Sequence, residues 1–197
     1  MAVEVLALLI YTGVNPYERS TWFMEVTPIF IAAPFLIWSW KKYPLTSMLY
    51  VFIAVHCIIL TVGGSYTYAR VPLGFWIRDA FHMDRNPYDR IGHFAQGFVP
   101  ALIAREIFLR RRVVRSKRWS AFLAITCAMT ISAVYELIEW RAAVSLGQGA
   151  DAFLGTQGDP WDTQEDMATA LVGALVAMIG FARWQDRQMA TLPPPAP

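Results

Sequence analysis

Asp89, His93 and Gln96 recur at i, i+4 and i+7 in the stretch Asn86-Pro-Tyr-Asp-Arg-Ile-Gly-His-Phe-Ala-Gln-Gly-Phe98, where a polar loop runs into an apolar segment. On a helix these three side chains share one face. Glu136 and Glu139 sit at i, i+3 near the end of a second apolar segment, and Asp162 and Asp166 open a third, with Thr169 one turn deeper. An imidazole among carboxylates suits a divalent ion such as zinc, iron or manganese. Such an ion would activate a water for hydrolysis. Without a metal, a carboxylate in low dielectric serves as a general acid or base. The catalytic candidates are therefore His93, Glu136, Glu139, Asp162 and Asp166. The candidate metal ligands are Asp89, His93, Glu136, Glu139 and Asp166. His56, Glu25, Arg90 and Gln96 are expected to support them.

Plainer roles compete for each residue. Asp159-Pro160-Trp161-Asp162 reads as a helix start, with an N-cap aspartate, proline at the first position and an acid in the first turn. Asp89 would cap its own helix, Arg90 would reach headgroups, His93 would sit satisfied at an interface, and His56 would bridge two helices. Glu136 and Glu139 resist such readings: two carboxylates on one face repel unless a cation, a shared proton, or an arginine such as Arg90 or Arg141 relieves them. Gly63-Gly64-Ser65 reads as a helix end and turn. No His-Glu-x-x-His, Gly-x-Ser-x-Gly, P-loop or Gly-x-Gly-x-x-Gly motif occurs.

The elements that must position these groups are membrane helices. Of 197 residues, 56% are hydrophobic and only 16% are charged, against about a quarter charged in soluble domains. The net charge of +2 gives no reason to expect nucleic acid. Cys57 and Cys127 lie inside apolar runs, as small hydrophobes do. No cleavable signal is evident. Apolar runs at residues 25–40, 45–62, 91–109, 119–138 and 166–184 are each expected to cross a bilayer. Residues 2–14 form a shorter first helix, whose length suggests a start further upstream. The fold class expected is all-α: one polytopic bundle of about six helices over residues 1–190, with a disordered Pro-rich tail at 191–197.

Lys41 and Lys42, the basic residues at 110–118, and Arg183 with Arg187 fall on one side of this topology. By the positive-inside tendency that side is cytoplasmic, both termini included. The acidic ends of three spans then meet at the outer leaflet with His93. Arg105 and Glu106, near the inner end, read as an interfacial pair. The loop 66–85 reads as an amphipathic interfacial segment. The glycine-rich loop 147–162 would be a lid or a connector.

Three long motifs carry a resemblance: Tyr-Asp-Arg-Ile-Gly-His-Phe-Ala-Gln-Gly-Phe-Val-Pro (88–100), Tyr-Glu-Leu-Ile-Glu-Trp (135–140) and Leu-Gly-Gln-Gly-Ala-Asp-Ala-Phe-Leu-Gly-Thr-Gln-Gly-Asp-Pro-Trp-Asp-Thr-Gln (146–164). In order and over nearly the whole chain, they resemble the YjdF-like family of bacterial inner-membrane proteins. The resemblance implies a multi-pass inner-membrane protein and no particular reaction. The layout of Asp89 and His93, then Glu136 or Glu139, then Asp162 or Asp166 is also similar to that of VanZ-like membrane proteins.

Three functions follow as expectations. The preferred one is a membrane enzyme, metal-dependent if a divalent ion binds, acting on a lipid-linked or envelope substrate, with the lipid bilayer as its surroundings. A cation or small-molecule transporter and a non-catalytic accessory protein are the alternatives. A transporter would need polar groups continuing across the bilayer, and residues 121–133 offer only Thr126, Thr130 and Ser132.

Overall fold

The structure, a computed structural model, describes residues 2–146 and 156–194. It is an all-helical membrane bundle. The helices are α1 (Ala2–Val14), α2 (Arg19–Ser39), α3 (Ser47–Ser65), α4 (Pro72–Phe81), α5 (Tyr88–Arg110), α6 (Lys117–Leu146), α7 (Asp162–Val176) and α8 (Ala182–Met189). A π-helical turn, Ala177–Phe181, joins α7 to α8, so the two run as one continuous helix from Asp162 to Met189. The expected lid loop falls largely on residues 147–155, and the tail partly on 195–197; both stretches lie outside the described residues.

Among the described residues, four helices are long and apolar enough to cross a membrane: α2, α3, α6 and the α7–α8 unit. α5 is equally long, at 23 residues, or roughly 34 Å. It carries more charge than the others, and it is the central helix, packed on α3, α6 and α7. Its charged side chains therefore point into protein rather than lipid. α1 has 13 residues and falls short of a full crossing, as its sequence suggested. The outer surface carries apolar side chains such as Phe35, Ile37, Trp38, Phe122, Leu137 and Ile179. In water this would be a large sticky surface; in a bilayer it is solvated.

Local chemistry accounts for the boundaries. Glu18 caps α2, its carboxylate accepting the backbone N–H groups of Ser20 (3.2 Å) and Thr21 (2.5 Å). This capping starts α2 six residues before the expected span, so Glu25 is buried nearly two turns inside the helix rather than at its opening. Pro28 and Pro34 interrupt the α2 hydrogen-bond ladder. α3 ends at Gly63-Gly64-Ser65, and Tyr66 N–H returns to the Gly63 carbonyl (3.1 Å). Pro72 opens α4 and His82 closes it at φ +52°; the interfacial segment expected at 66–85 thus contains a true helix. α6 runs on to Leu146, well beyond the expected end at 138, and leaves Glu136 and Glu139 inside the helix.

One contact sets the depth of the site. A Cβ added at Gly97 would collide with the Ala170 carbonyl, and one at Gly173 with the Phe94 carbonyl. Small residues let the α5 and α7 backbones touch. His93 is one turn from Gly97, and Asp166 one turn from Ala170, so this close approach brings imidazole and carboxylate to one level. Deeper in the bundle, Phe98, Phe52 and Phe181 meet edge to face at 4.9–5.3 Å, over Leu49, Leu102, Ala174 and Ala177.

Candidate functional site

His93 sits at the centre of an acidic cluster formed by α5, α6 and α7. Its Nε2 lies 3.5 Å from Asp89 Oδ1 and 3.6 Å from Asp166 Oδ2. Its Nδ1 lies 3.1 Å from Gln96 Oε1 and 3.7 Å from Glu136 Oε1. Nδ1 thus lies within hydrogen-bond distance of the Gln96 amide, and Nε2 faces Asp89 and Asp166. One ligand atom from each of Asp89, His93 and Asp166 can be chosen so that all lie within 4.8 Å of one another. Asp166 is 2% exposed and Glu136 6%. Each has a buried carboxylate oxygen, Asp166 Oδ1 and Glu136 Oε1, without a hydrogen-bond partner. Buried polar atoms are almost always paired, so each orphan calls for an explanation.

Above the cluster lies a second ionic layer that the sequence did not announce. Arg85 pairs with Asp162, reaches the Thr156 carbonyl (2.9 Å), and lies 3.6 Å from Asp159. Arg90 pairs with Glu165. Burial works against the charge on Arg85, but the hydrogen bond and charge of Asp162, with Asp159 behind it, outweigh burial and raise its pKa. Asn86 and Gln157 clasp the two loops through reciprocal 3.0 Å bonds between the backbone of Asn86 and the side-chain amide of Gln157. The Asp162 carboxylate pairs with Arg85 in this layer. The expected N-cap role of Asp159 is corrected. Trp161 holds the N-cap position, and Asp159 receives the Trp161 N–H in a turn just before the helix (2.9 Å).

The other anticipated residues divide between two sides of His93. Asp89, His93, Gln96, Glu25, His56 and Glu139 all line a cavity of about 590 Å³ walled by α2, α3, α5 and α6. Glu136 and Asp166 approach His93 from the α6–α7 side. Glu139 shares the cavity with His93, while Glu136 makes the imidazole contact. Glu25 accepts a hydrogen bond from the Tyr135 hydroxyl (2.9 Å). His56 Nε2 is buried without a partner at the cavity wall. Arg90 serves the outer layer, and Arg141 is exposed, so neither neutralises the Glu136–Glu139 face. Tyr68, in the α3–α4 connection, adds a phenol to the cavity. Burial and then the Glu25 charge hold it well above its ordinary pKa, so it remains a proton donor.

The opposite end of α5 corrects a further expectation. Arg105 and Glu106 do not pair at an interface; consecutive helical residues point about 100° apart. Arg105, 2% exposed, donates to Gln185 Oε1 (2.9 Å) and Asp186 Oδ1 (2.6 Å). Glu106, fully buried, accepts from the Thr46 amide (3.0 Å), the Thr46 hydroxyl (2.8 Å) and Arg110 (3.0 Å).

Comparison with known proteins places the chain. It is 54% identical over 188 residues to the inner membrane protein YjdF of Escherichia coli (strain K12), covering 95% of this chain and 90% of that one. No solved structure matches it. The model of a family described as "Predicted membrane protein (DUF2238)" matches residues 1–187; with its helical bundle and the motifs around His93, Glu136 and Asp162, the chain belongs to that family.

Proposed function

We propose that this protein is an inner-membrane enzyme whose reactive centre is His93 with Asp89, Asp166 and Glu136, acting on a lipid-linked substrate at the outer leaflet. The observation that carries this reading is the pair of orphaned carboxylate oxygens around a buried imidazole, Asp166 Oδ1 and Glu136 Oε1. Three carboxylates face one imidazole in a setting poor in water. Uncompensated buried charge costs several kcal/mol per ion. The excess is met by protons or by a cation.

The donor set fits a divalent cation. Asp89, His93 and Asp166 offer one nitrogen and two oxygens from three chain positions, which leaves coordination positions open. Gln96 fixes the ring through Nδ1, as residues behind metal-bound histidines do. Once bound, such an ion supplies Lewis acidity and an activated water. The chain's own groups do the rest. Glu136 Oε1 lies where it can take or return a proton beside the ring. Arg85 and Arg90 tie the start of α7 to the α4–α5 connection and to α5. Below His56 the cavity lining is apolar, with Ala32, Phe35, Ile53, Ile103 and Ile107, which does not suit an ion path.

The basic residues beyond α5 and α8 support a cytoplasmic placement of that end, with the His93 end outward. Reporter fusions near Arg115 and after Arg187 should both read cytoplasmic; an outward reading at either would reverse the orientation. The decisive test of the site is elemental analysis of purified protein incubated with zinc, manganese or iron. Wild type should retain a stoichiometric divalent ion, and Asp166→Asn and His93→Gln should lose it while melting like the metal-free wild type. A metal-free wild type, or variants that keep the metal, would overturn the metal assignment.

A further inference from the structure

The cavity beside His93 has a polarity gradient that no ion or soluble substrate explains. At one end stand Glu25, Tyr68, Asp89, His93 and Glu139. From there the lining runs along one face of α5, through Gln96, Val99, Ile103 and Ile107 to Phe108. From Asp89 to Phe108 is roughly 28 Å along the helix, close to the full hydrocarbon thickness of about 30 Å. The opposite walls are Pro28, Ala32 and Phe35 of α2 and Cys127 and Ile131 of α6. Among the described residues, α2 packs on α3, and α6 on α5 and α7, but α2 and α6 are not packed along their lengths. Their recorded link is the Tyr135–Glu25 hydrogen bond at the polar end. Ile131 and Ala32 are exposed at this seam, so the cavity borders the surrounding lipid. A space of this shape is filled at lowest cost by what already surrounds it.

We propose that this cavity holds the single long hydrocarbon chain of a membrane lipid, received from the bilayer along the α2–α6 seam, with the polar head of that lipid at Asp89, His93 and Glu139. The lined length exceeds the roughly 15 Å of one leaflet, so the chain it fits is longer than one leaflet is deep. The head meets hydrogen-bond acceptors from the carboxylates, beside the Tyr135 hydroxyl that donates to Glu25. The proposal names the substrate class for the reactive centre above and rests on that reading for what happens to the head. Binding of the chain itself does not depend on it.

The test uses the full-length protein in nanodiscs and a long-chain alcohol carrying a diazirine midway along its chain. After irradiation, label is mapped by mass spectrometry. Label should concentrate on Cys57, Ile103 and Ala104 rather than on the outward residues Ile37 and Trp38. Ala104→Trp and Ala32→Trp, on opposite walls, should each lower cavity labelling about tenfold while metal content stays at the wild-type level. His93→Gln should lose the metal and keep the label. Label confined to the outward faces, or undiminished in both tryptophan variants, would overturn the proposal even if the metal site stands. Loss of metal in His93→Gln with cavity labelling intact separates the two claims.

Discussion

The two ends of α5 hold two ionic clusters of opposite character. At the Arg105 end each buried charge meets an opposite charge or a polar partner, although Arg105 Nε itself is unpartnered. Arg105 meets Asp186 and Gln185, Glu106 meets Thr46 and Arg110, and Lys117 closes on Asp186 (2.7 Å). At the His93 end, Asp89, Glu136 and Asp166 share one imidazole, and two of their oxygens have no partner. Both clusters are buried and both join α5 to the last helix. A completed network fixes packing and is costly to break. An incomplete one is costly to maintain, and evolution keeps such a cost where a ligand or a proton completes it.

The comparison breaks most visibly through Arg105. Arg105→Ala leaves Asp186, Gln185 and a space in the core without their partner, and should destabilise the protein by about 3–5 kcal/mol. A melting curve in detergent that matched wild type would show that the inner cluster is not structural. Next in size is Gly97→Val, which pushes the α5 and α7 backbones apart at Ala170. A loss of about 1–3 kcal/mol is expected, with loss of the metal because Asp166 is drawn away from His93. Stability lost with metal retained would uncouple the contact from the site.

Asp166→Asn should do the opposite of Arg105→Ala. In the metal-free protein it removes a surplus charge, so stability there should stay within about 1 kcal/mol of wild type or rise, while function is lost. Strong destabilisation would place the outer cluster in the same class as the inner one.

The smallest effect is a control away from both clusters. Burial favours the neutral form of Glu18, but hydrogen bonds from Ser20 and Thr21 outweigh it and bring its pKa down to about 2. A depressed native pKa stabilises the fold above the ordinary carboxylate value of 4.5 and is lost as pH falls toward about 2. Glu18→Gln should therefore cost about 0.5–1 kcal/mol at neutral pH, with the difference from wild type vanishing in acid. A pH-independent difference would mean the cap acts by shape alone.

What the sequence disclosed was depth along each helix. Apolar length placed the spans, and the acidic residues at their ends followed. What it withheld was rotation about each helix axis. α6 is apolar nearly all round, so nothing in its pattern says whether Glu136 or Glu139 turns to His93; the structure turns Glu136 there and Glu139 to the cavity. The pairing of Asp162 with Arg85 was not legible, because Arg85 reads in sequence as one more charge in a polar loop. Arg105 and Glu106 were adjacent and opposite in sign, which suggests a pair. Helical geometry sends them to different neighbours, Asp186 and Thr46, distant in sequence.

The π turn at Ala177–Phe181 has a consequence for how this chain tolerates insertion and deletion. Asp166 and Gln185 are nineteen positions apart, which in an unbroken α-helix leaves them about 100° out of phase. A π turn absorbs one residue without adding its full rotation, and so returns Gln185 to the side that carries Asp166. That extra residue is a phase corrector between the two clusters. Deleting one position there would restore a regular helix and force a choice: keep Asp166 on His93 or keep Gln185 on Arg105, but not both. A one-residue gap within 177–181 should thus be far rarer among relatives than substitutions at the same places.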